Sequence, residues 1–239
     1  MTRRAALGDF ATTLAAAFFA LFMVAVPAVL VAAICQAAGA DIDEGVATAL
    51  MALVVTGGAA LIVYYWRNRA TALERQISAR AIRQPATWGW IGLAAATALV
   101  AGEGVLALAA ALGLEPQPTN EALVGQLMQA SPLLLTAFVV VLAPAYEELL
   151  FRRVLFGRLW AGGRPRLGLV LSSAAFALMH EMPGLDPATW PATALLLLVY
   201  GLIGATYAGL YWRTGTLWAP IAAHALNNGV ALLAMALSA

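Results

Sequence analysis

Long apolar runs separated by short arginine-bearing segments are the dominant pattern along this chain. Runs of the length an α-helix needs to cross a bilayer, about 20 residues, fall at 10–37, 45–66, 88–113, 132–156, 167–182, 192–212 and 216–238. They predict an all-α, polytopic transmembrane helix bundle of about seven spans. Little chain is left between the runs, so a single membrane-embedded domain over 1–239 is expected. The longest polar stretch, RNRATALERQISARAIRQP, spaces Leu73, Ile77 and Ile82 among arginines. The stretch is read as a cytoplasmic connecting loop that fixes orientation, with an amphipathic helix lying at the membrane interface, which the spacing also suits, as the alternative. The first run continues from about Phe10 to Ile34, longer than the core of a secretory signal, so it is expected to remain as a helix.

Composition strengthens this picture. At 63% hydrophobic and 10% charged residues, the chain lies outside soluble globular usage. The single Cys35 excludes an internal disulfide framework, and a net charge of +1 gives no reason to expect nucleic acid as a partner. The lipid bilayer is the expected surrounding. All 13 basic residues are arginine: Arg3 and Arg4; Arg67, Arg69, Arg75, Arg80 and Arg83; Arg152, Arg153, Arg158, Arg164 and Arg166; and Arg213. With seven spans every cluster falls on the N-terminal side, which the positive-inside rule makes cytoplasmic. The opposite loops carry Asp41, Asp43, Glu44, Glu115, Glu121 and Asp186 and no arginine. All-arginine basic content with abundant alanine points to a GC-rich prokaryotic genome, and so to a prokaryotic plasma membrane.

Ionisable groups at membrane depth cost about 2.5–3.5 kcal/mol each on insertion scales, so each needs a partner or a task. The candidates are Glu103, Glu147, Glu148, Arg152, His180 and His224, and those two histidines are the only ones in the chain. Residues four apart stack on one helix face, which sets Glu148 over Arg152, Phe176 over His180 and His224 over Asn228. Glu147 points about 100° away from Glu148, so one carboxylate can form an ion pair while the other faces a cavity. A carboxylate and an imidazole can activate a water and later deliver its proton to a leaving amine. A second imidazole and a carboxamide can donate to a developing oxyanion. Pro144 and Pro220 each lie within a turn of this set, and the carbonyls they free can help open a wet cavity within a bundle.

Taken together, EELLFR (147–152), FALMH (176–180) and HALNN (224–228) resemble the EExxxR, FxxxH and HxxxN motifs of the CAAX prenyl protease and bacteriocin-processing family of intramembrane endopeptidases. The motif-bearing core is about 131–239. The resemblance implies hydrolysis of a peptide bond in a membrane-associated protein or peptide substrate. It makes Glu147 the catalytic carboxylate sharing the attacking water with His180, and assigns the oxyanion to His224 and Asn228. Glu148 and Arg152 would position the helix and tune charge, with Phe176 packed behind His180. A metal-free mechanism is expected, with no cofactor; the alternative is zinc held by Glu147, His180 and His224. Glu103 is left outside the site, and Glu181 is read as a residue of the helix end at the interface.

Rival readings keep the helices and change the task. One is a non-proteolytic membrane scaffold or bacteriocin self-immunity protein of the same fold. Another is a proton-coupled transporter, which would predict inverted repeats, and the sequence has none.

Overall fold

The computed structural model describes residues 1–41, 43–119, 121–182, 184 and 189–238, and every regular element among them is helical. The order is α1 (Arg3–Ala37), α2 (Glu44–Arg67), α3 (Ala72–Ala81), α4 (Pro85–Ala111), α5 (Glu121–Ala130), α6 (Pro132–Ala161), α7 (Pro165–His180), α8 (Trp190–Thr214) and α9 (Trp218–Ser238). Proline opens α4, α6 and α7 as Pro85, Pro132 and Pro165, the one turn of a helix where its missing N–H leaves no bond unmade.

Six of these helices, α1, α2, α4, α6, α8 and α9, are long and apolar enough to cross a membrane, against the seven runs expected. The difference is α7. It has 16 residues, about 24 Å at 1.5 Å per residue, short of the roughly 30 Å hydrocarbon core. It packs closely against α8. A Cβ added at Gly204 of α8 would stand 3.0 Å from the Ser173 Cα of α7, a backbone approach that only a small residue permits.

The stretch between α2 and α4 is a helix rather than a plain loop. Thr71 and Glu74 close a capping box at the start of α3, satisfying two N–H groups reciprocally. None of its residues is buried, and Leu73 and Ile77 stand exposed.

The arginine clusters converge on one end of the bundle. Arg67 and Arg158 both pair with Asp9 of α1; Arg153 pairs with Glu74 at 3.0 Å; the N-terminal amine donates to the Gly162 carbonyl; and the Arg213 guanidinium lies 5.1 Å from the Trp90 ring centroid. Glu74 is held down to about 2 by the Arg153 guanidinium hydrogen-bonded to it, against the opposing effect of partial burial. Arg152 is the exception, being fully buried inside the bundle. Asp186, among the acids expected at the other end, lies outside the described residues. Glu103 is exposed on α4, about 27 Å along the helix from Pro85.

Two cores flank α6 and α7. On one side Phe151, Val154 and Phe176 pack on Ala17, Ala60 and Val63 of α1 and α2. On the other, Ile91 and Ala98 of α4 meet Tyr207 and Ala223 of α8 and α9. α6 is wound as π-helix over Ala137–Leu142 and Leu149–Phe156, and the two carboxylates Glu147 and Glu148 lie between these widened stretches. Such widened turns recur at functional sites.

Candidate active site

Adjacent positions on α6 send the two carboxylates to different neighbours. Glu148 is fully buried; its Oε2 lies 2.9 Å from Arg152 Nε and its Oε1 2.9 Å from His224 Nδ1. Glu147 turns the other way. Its Oε2 stands 3.6 Å from His180 Nε2 and 3.9 Å from His224 Nε2 and makes no hydrogen bond among the described residues. The division of labour expected from the 100° offset is therefore present: one carboxylate ion-paired, one facing both imidazoles.

The tautomers follow from the partners. A backbone carbonyl only accepts, so the 2.9 Å contact from His180 Nδ1 to the Phe176 oxygen places the His180 proton on Nδ1. His224 likewise donates through Nδ1 to the Glu148 carboxylate. Both rings thus present Nε2 to Glu147. Carboxylate partners that orient an imidazole in this way fix which nitrogen is left for chemistry.

Arg152 is the least conventional member. It is wholly buried, and its guanidinium makes no aligned hydrogen bond among the described residues: the Nε–H is poorly directed at Glu148 despite the short separation. Aromatic faces surround it instead. The guanidinium carbon lies 4.5 Å from the Phe176 centroid, 5.7 Å from Tyr207 and 5.8 Å from Phe151, within range of cation–π attraction. Phe176 accordingly serves two neighbours, packing on His180 at 4.2 Å between centroids as well as on Arg152.

Asn228 lies one turn beyond His224 on α9, and its Nδ2 donates to the Val139 carbonyl at 2.9 Å. The bond has a covalent origin. In the π register of this turn Ala143 N–H bonds Phe138, so the next donor, for Val139, would come from position 144. That residue is Pro144, which has no N–H, and the carboxamide takes its place. A carbonyl freed by this proline is what the sequence leads one to expect; its capture by Asn228 is new.

Glu147, His180 and His224 are thus gathered at one place, Glu148, Arg152 and Phe176 support them from behind, and Asn228 braces the adjoining wall. Glu181 differs from expectation. It is buried, and its two oxygens accept from the Thr119 N–H and hydroxyl at 2.8 and 2.7 Å, tying the segment after α4 to the end of α7. Two further residues had gone unread: Tyr200 stacks on His180 at 4.6 Å and Tyr207 on His224 at 5.1 Å. The signal was available, since Tyr200, Gly204, Tyr207 and Tyr211 recur at helical spacing on one face of α8. Among the described residues no group of three or more His, Cys, Asp or Glu side chains is arranged to hold a metal ion.

A helical membrane protein with a half-buried carboxylate facing two imidazoles is the class that the fold and site define. Residues 129–230 match the family described as Type II CAAX prenyl endopeptidase Rce1-like, a stretch that contains all three motifs. The chain is also 31% identical over 116 residues to a Bacillus subtilis (strain 168) protein named "Putative membrane peptidase YdiL", covering 48% of this chain and 43% of that protein. The chain thus spans less than half the length of that relative. No solved structure matches. The motif-bearing part of the chain is thus the part that is similar to the Rce1-like family.

Proposed function

We propose that this protein is an intramembrane endopeptidase that hydrolyses a peptide bond of a membrane-associated protein or peptide without a metal ion. The observation that carries the reading is the Glu147 carboxylate held 3.6 and 3.9 Å from two imidazole nitrogens, with no hydrogen bond of its own among the described residues. Those separations are too long for direct hydrogen bonds and suit a bridging water.

In the proposed reaction a water donates one hydrogen to Glu147 and the other to His180 Nε2. As its oxygen attacks the scissile carbonyl, Glu147 takes the proton and the carbonyl oxygen becomes an oxyanion. His224, protonated on Nε2 as well as Nδ1, donates to that oxyanion, and the second N–H of the Asn228 amide, the one not spent on Val139, is the further donor. Collapse breaks the C–N bond while Glu147 returns its proton to the leaving nitrogen, releasing an acid and an amine. Charge supports this sequence. With His224 taken as the imidazolium that this sequence requires, the two carboxylates, the Arg152 guanidinium and that ring sum to zero, so the proposed starting state carries no net charge within the site. A water-excluded site of this kind is where fixed donors count most.

The test is cleavage of a peptide library by the purified protein in nanodiscs, comparing wild type with Glu147→Ala and His180→Ala, each with and without chelator. Products that vanish in both variants and survive chelation are expected. Chelator-sensitive cleavage would overturn the metal-free mechanism, and cleavage retained in both variants would overturn the site. Folded wild-type protein that cleaves nothing in the library would favour the scaffold or self-immunity reading.

A further inference from the structure

Both histidines of the site are stacked on the same helix, one that supplies none of the three motifs. α8 carries Tyr200 and Tyr207, seven residues and so two turns apart, on one face. The Tyr200 ring lies 4.6 Å from the His180 ring at an interplanar angle of 25°, and the Tyr207 ring 5.1 Å from the His224 ring at 28°. Phe176 also packs on His180, tilted at 4.2 Å and 39°, and meets Tyr200 edge-on at 6.5 Å. Between the two stacked pairs lies the Arg152 guanidinium, 4.5 Å from the Phe176 centroid and 5.7 Å from that of Tyr207.

A hydrogen bond at Nδ1 holds an imidazole at one point and leaves it free to tilt about that point. His180 has such a bond to Phe176 and His224 to Glu148. What removes the tilt is a flat surface against the ring, and two side chains of α8 provide one for each histidine. A rigid helix suits this task because reacting groups must be held to within about 0.5 Å and 10–20° of their working geometry by neighbours that are themselves locked. α8 is locked by the Gly204–Ser173 backbone approach, which lies between the two tyrosines in sequence and ties their helix to the one bearing His180.

We infer that Tyr200 and Tyr207 are positioning residues, ring platforms that aim the Nε2 atoms of His180 and His224 at Glu147, and that they act through their faces rather than their hydroxyls. For Tyr207 the hydroxyl is buried with no hydrogen-bond partner among the described residues, so the aromatic face is the feature in use. This inference rests on the endopeptidase reading for its catalytic consequence, while the platform itself can be tested without any substrate.

The chain has two histidines only, so carbethoxylation by diethyl pyrocarbonate, followed site by site with mass spectrometry, reports each ring separately. Replacing a platform by an aliphatic side chain should loosen its own histidine. Tyr200→Leu is expected to speed modification of His180 at least fivefold with little change at His224, and Tyr207→Leu to do the reverse, while Tyr200→Phe and Tyr207→Phe leave both rates within twofold. On a cleaved peptide the two Leu variants should lose at least tenfold in kcat with KM changed less than threefold, and the Phe variants should recover it. Thermal unfolding of each variant identifies any that fail to fold, and the Phe variants keep the test open if a Leu variant does. Modification rates indifferent to the Leu changes, or equally raised at both histidines by either, would overturn the platform. A crossed pattern of modification in a wild type that cleaves nothing would retain the platform and count against the endopeptidase reading instead.

Discussion

Removing the charge of Arg152 tests the centre of the site most directly. Arg152 and Glu148 are both fully buried, 2.9 Å apart, with Glu148 also accepting from His224. Arg152→Met fills much of the same volume and leaves the carboxylate without its cation. Breaking a buried pair by deleting one partner costs about 3–5 kcal/mol, and a protein of this length loses roughly 2–4 °C per kcal/mol, so Tm should fall by about 6–20 °C. Glu148→Gln strands the guanidinium instead and should cost a similar amount. The double variant removes both charges, and its Gln carbonyl can still accept from His224 Nδ1. Replacing a whole buried pair is often close to neutral, so the double variant should lie within about 2 kcal/mol of wild type. Thermal unfolding in one detergent, followed by size-exclusion chromatography, measures all four proteins, and the cycle isolates the coupling. A coupling of at least about 3 kcal/mol is expected. Losses that simply add would show that Arg152 is held by its aromatic neighbours and that its charge is not matched to Glu148.

Three other outcomes are expected. Glu147→Gln should lower peptide cleavage by a factor of about 10²–10⁴, the usual worth of a general base, while leaving Tm unchanged or raised, because its Oε2 is buried without a hydrogen bond. Asn228→Ala leaves the Val139 carbonyl unpaired and should cost about 1–3 kcal/mol; adding Pro144→Ala restores a backbone N–H for that carbonyl and should recover the thermal stability without recovering cleavage. Glu74, ordinarily near 4.5 and held at about 2 in the folded protein by Arg153, contributes stability that is complete above about pH 4.5 and is lost as the pH falls from there toward 2. The Tm difference between wild type and Glu74→Gln should therefore be constant at neutral pH and close over that acidic interval.

The parts of this arrangement that were legible in the sequence are those set by local periodicity. Glu148 over Arg152, Phe176 over His180 and the divergence of Glu147 from Glu148 follow from helical spacing, and all three are found. The number of crossing helices was less legible because an apolar run records composition and not reach. The run at 167–182 includes Met182 beyond the helix, which ends at His180 and totals 16 residues. Depth is not legible in the sequence either, since an arginine at 152 taken as marking the interface would make Glu147 shallow. The ambiguity disappears once Arg152 is seen to be buried and the interfacial contacts are seen to come from Arg153 and Arg158. Glu181 and the tyrosines of α8 were missed for a different reason. Their partners, Thr119, His180 and His224, are distant in the chain, and single-helix spacing carries no information about which faces meet.

Two adjacent carboxylates at membrane depth look redundant, and the geometry indicates why one would not suffice. A carboxylate that takes a proton from water must be unencumbered, yet a bare buried charge is costly and its imidazole neighbours need something to fix their tautomers. Glu148 meets the second requirement by accepting from His224 through Oε1 and by setting Oε2 against the counter-charge of Arg152. Glu147 is left with the free oxygen and stands within the field of the same cation. The 100° turn between neighbouring residues of α6 separates the two environments with no further chain, so in the proposed mechanism a dipeptide supplies both the group that moves a proton and the group that keeps the surrounding charges in register. Exchanging the two roles is not open to the protein, because only position 148 lies one turn from Arg152, and an Asp at 147 would draw the reacting oxygen back by about one methylene from both imidazoles.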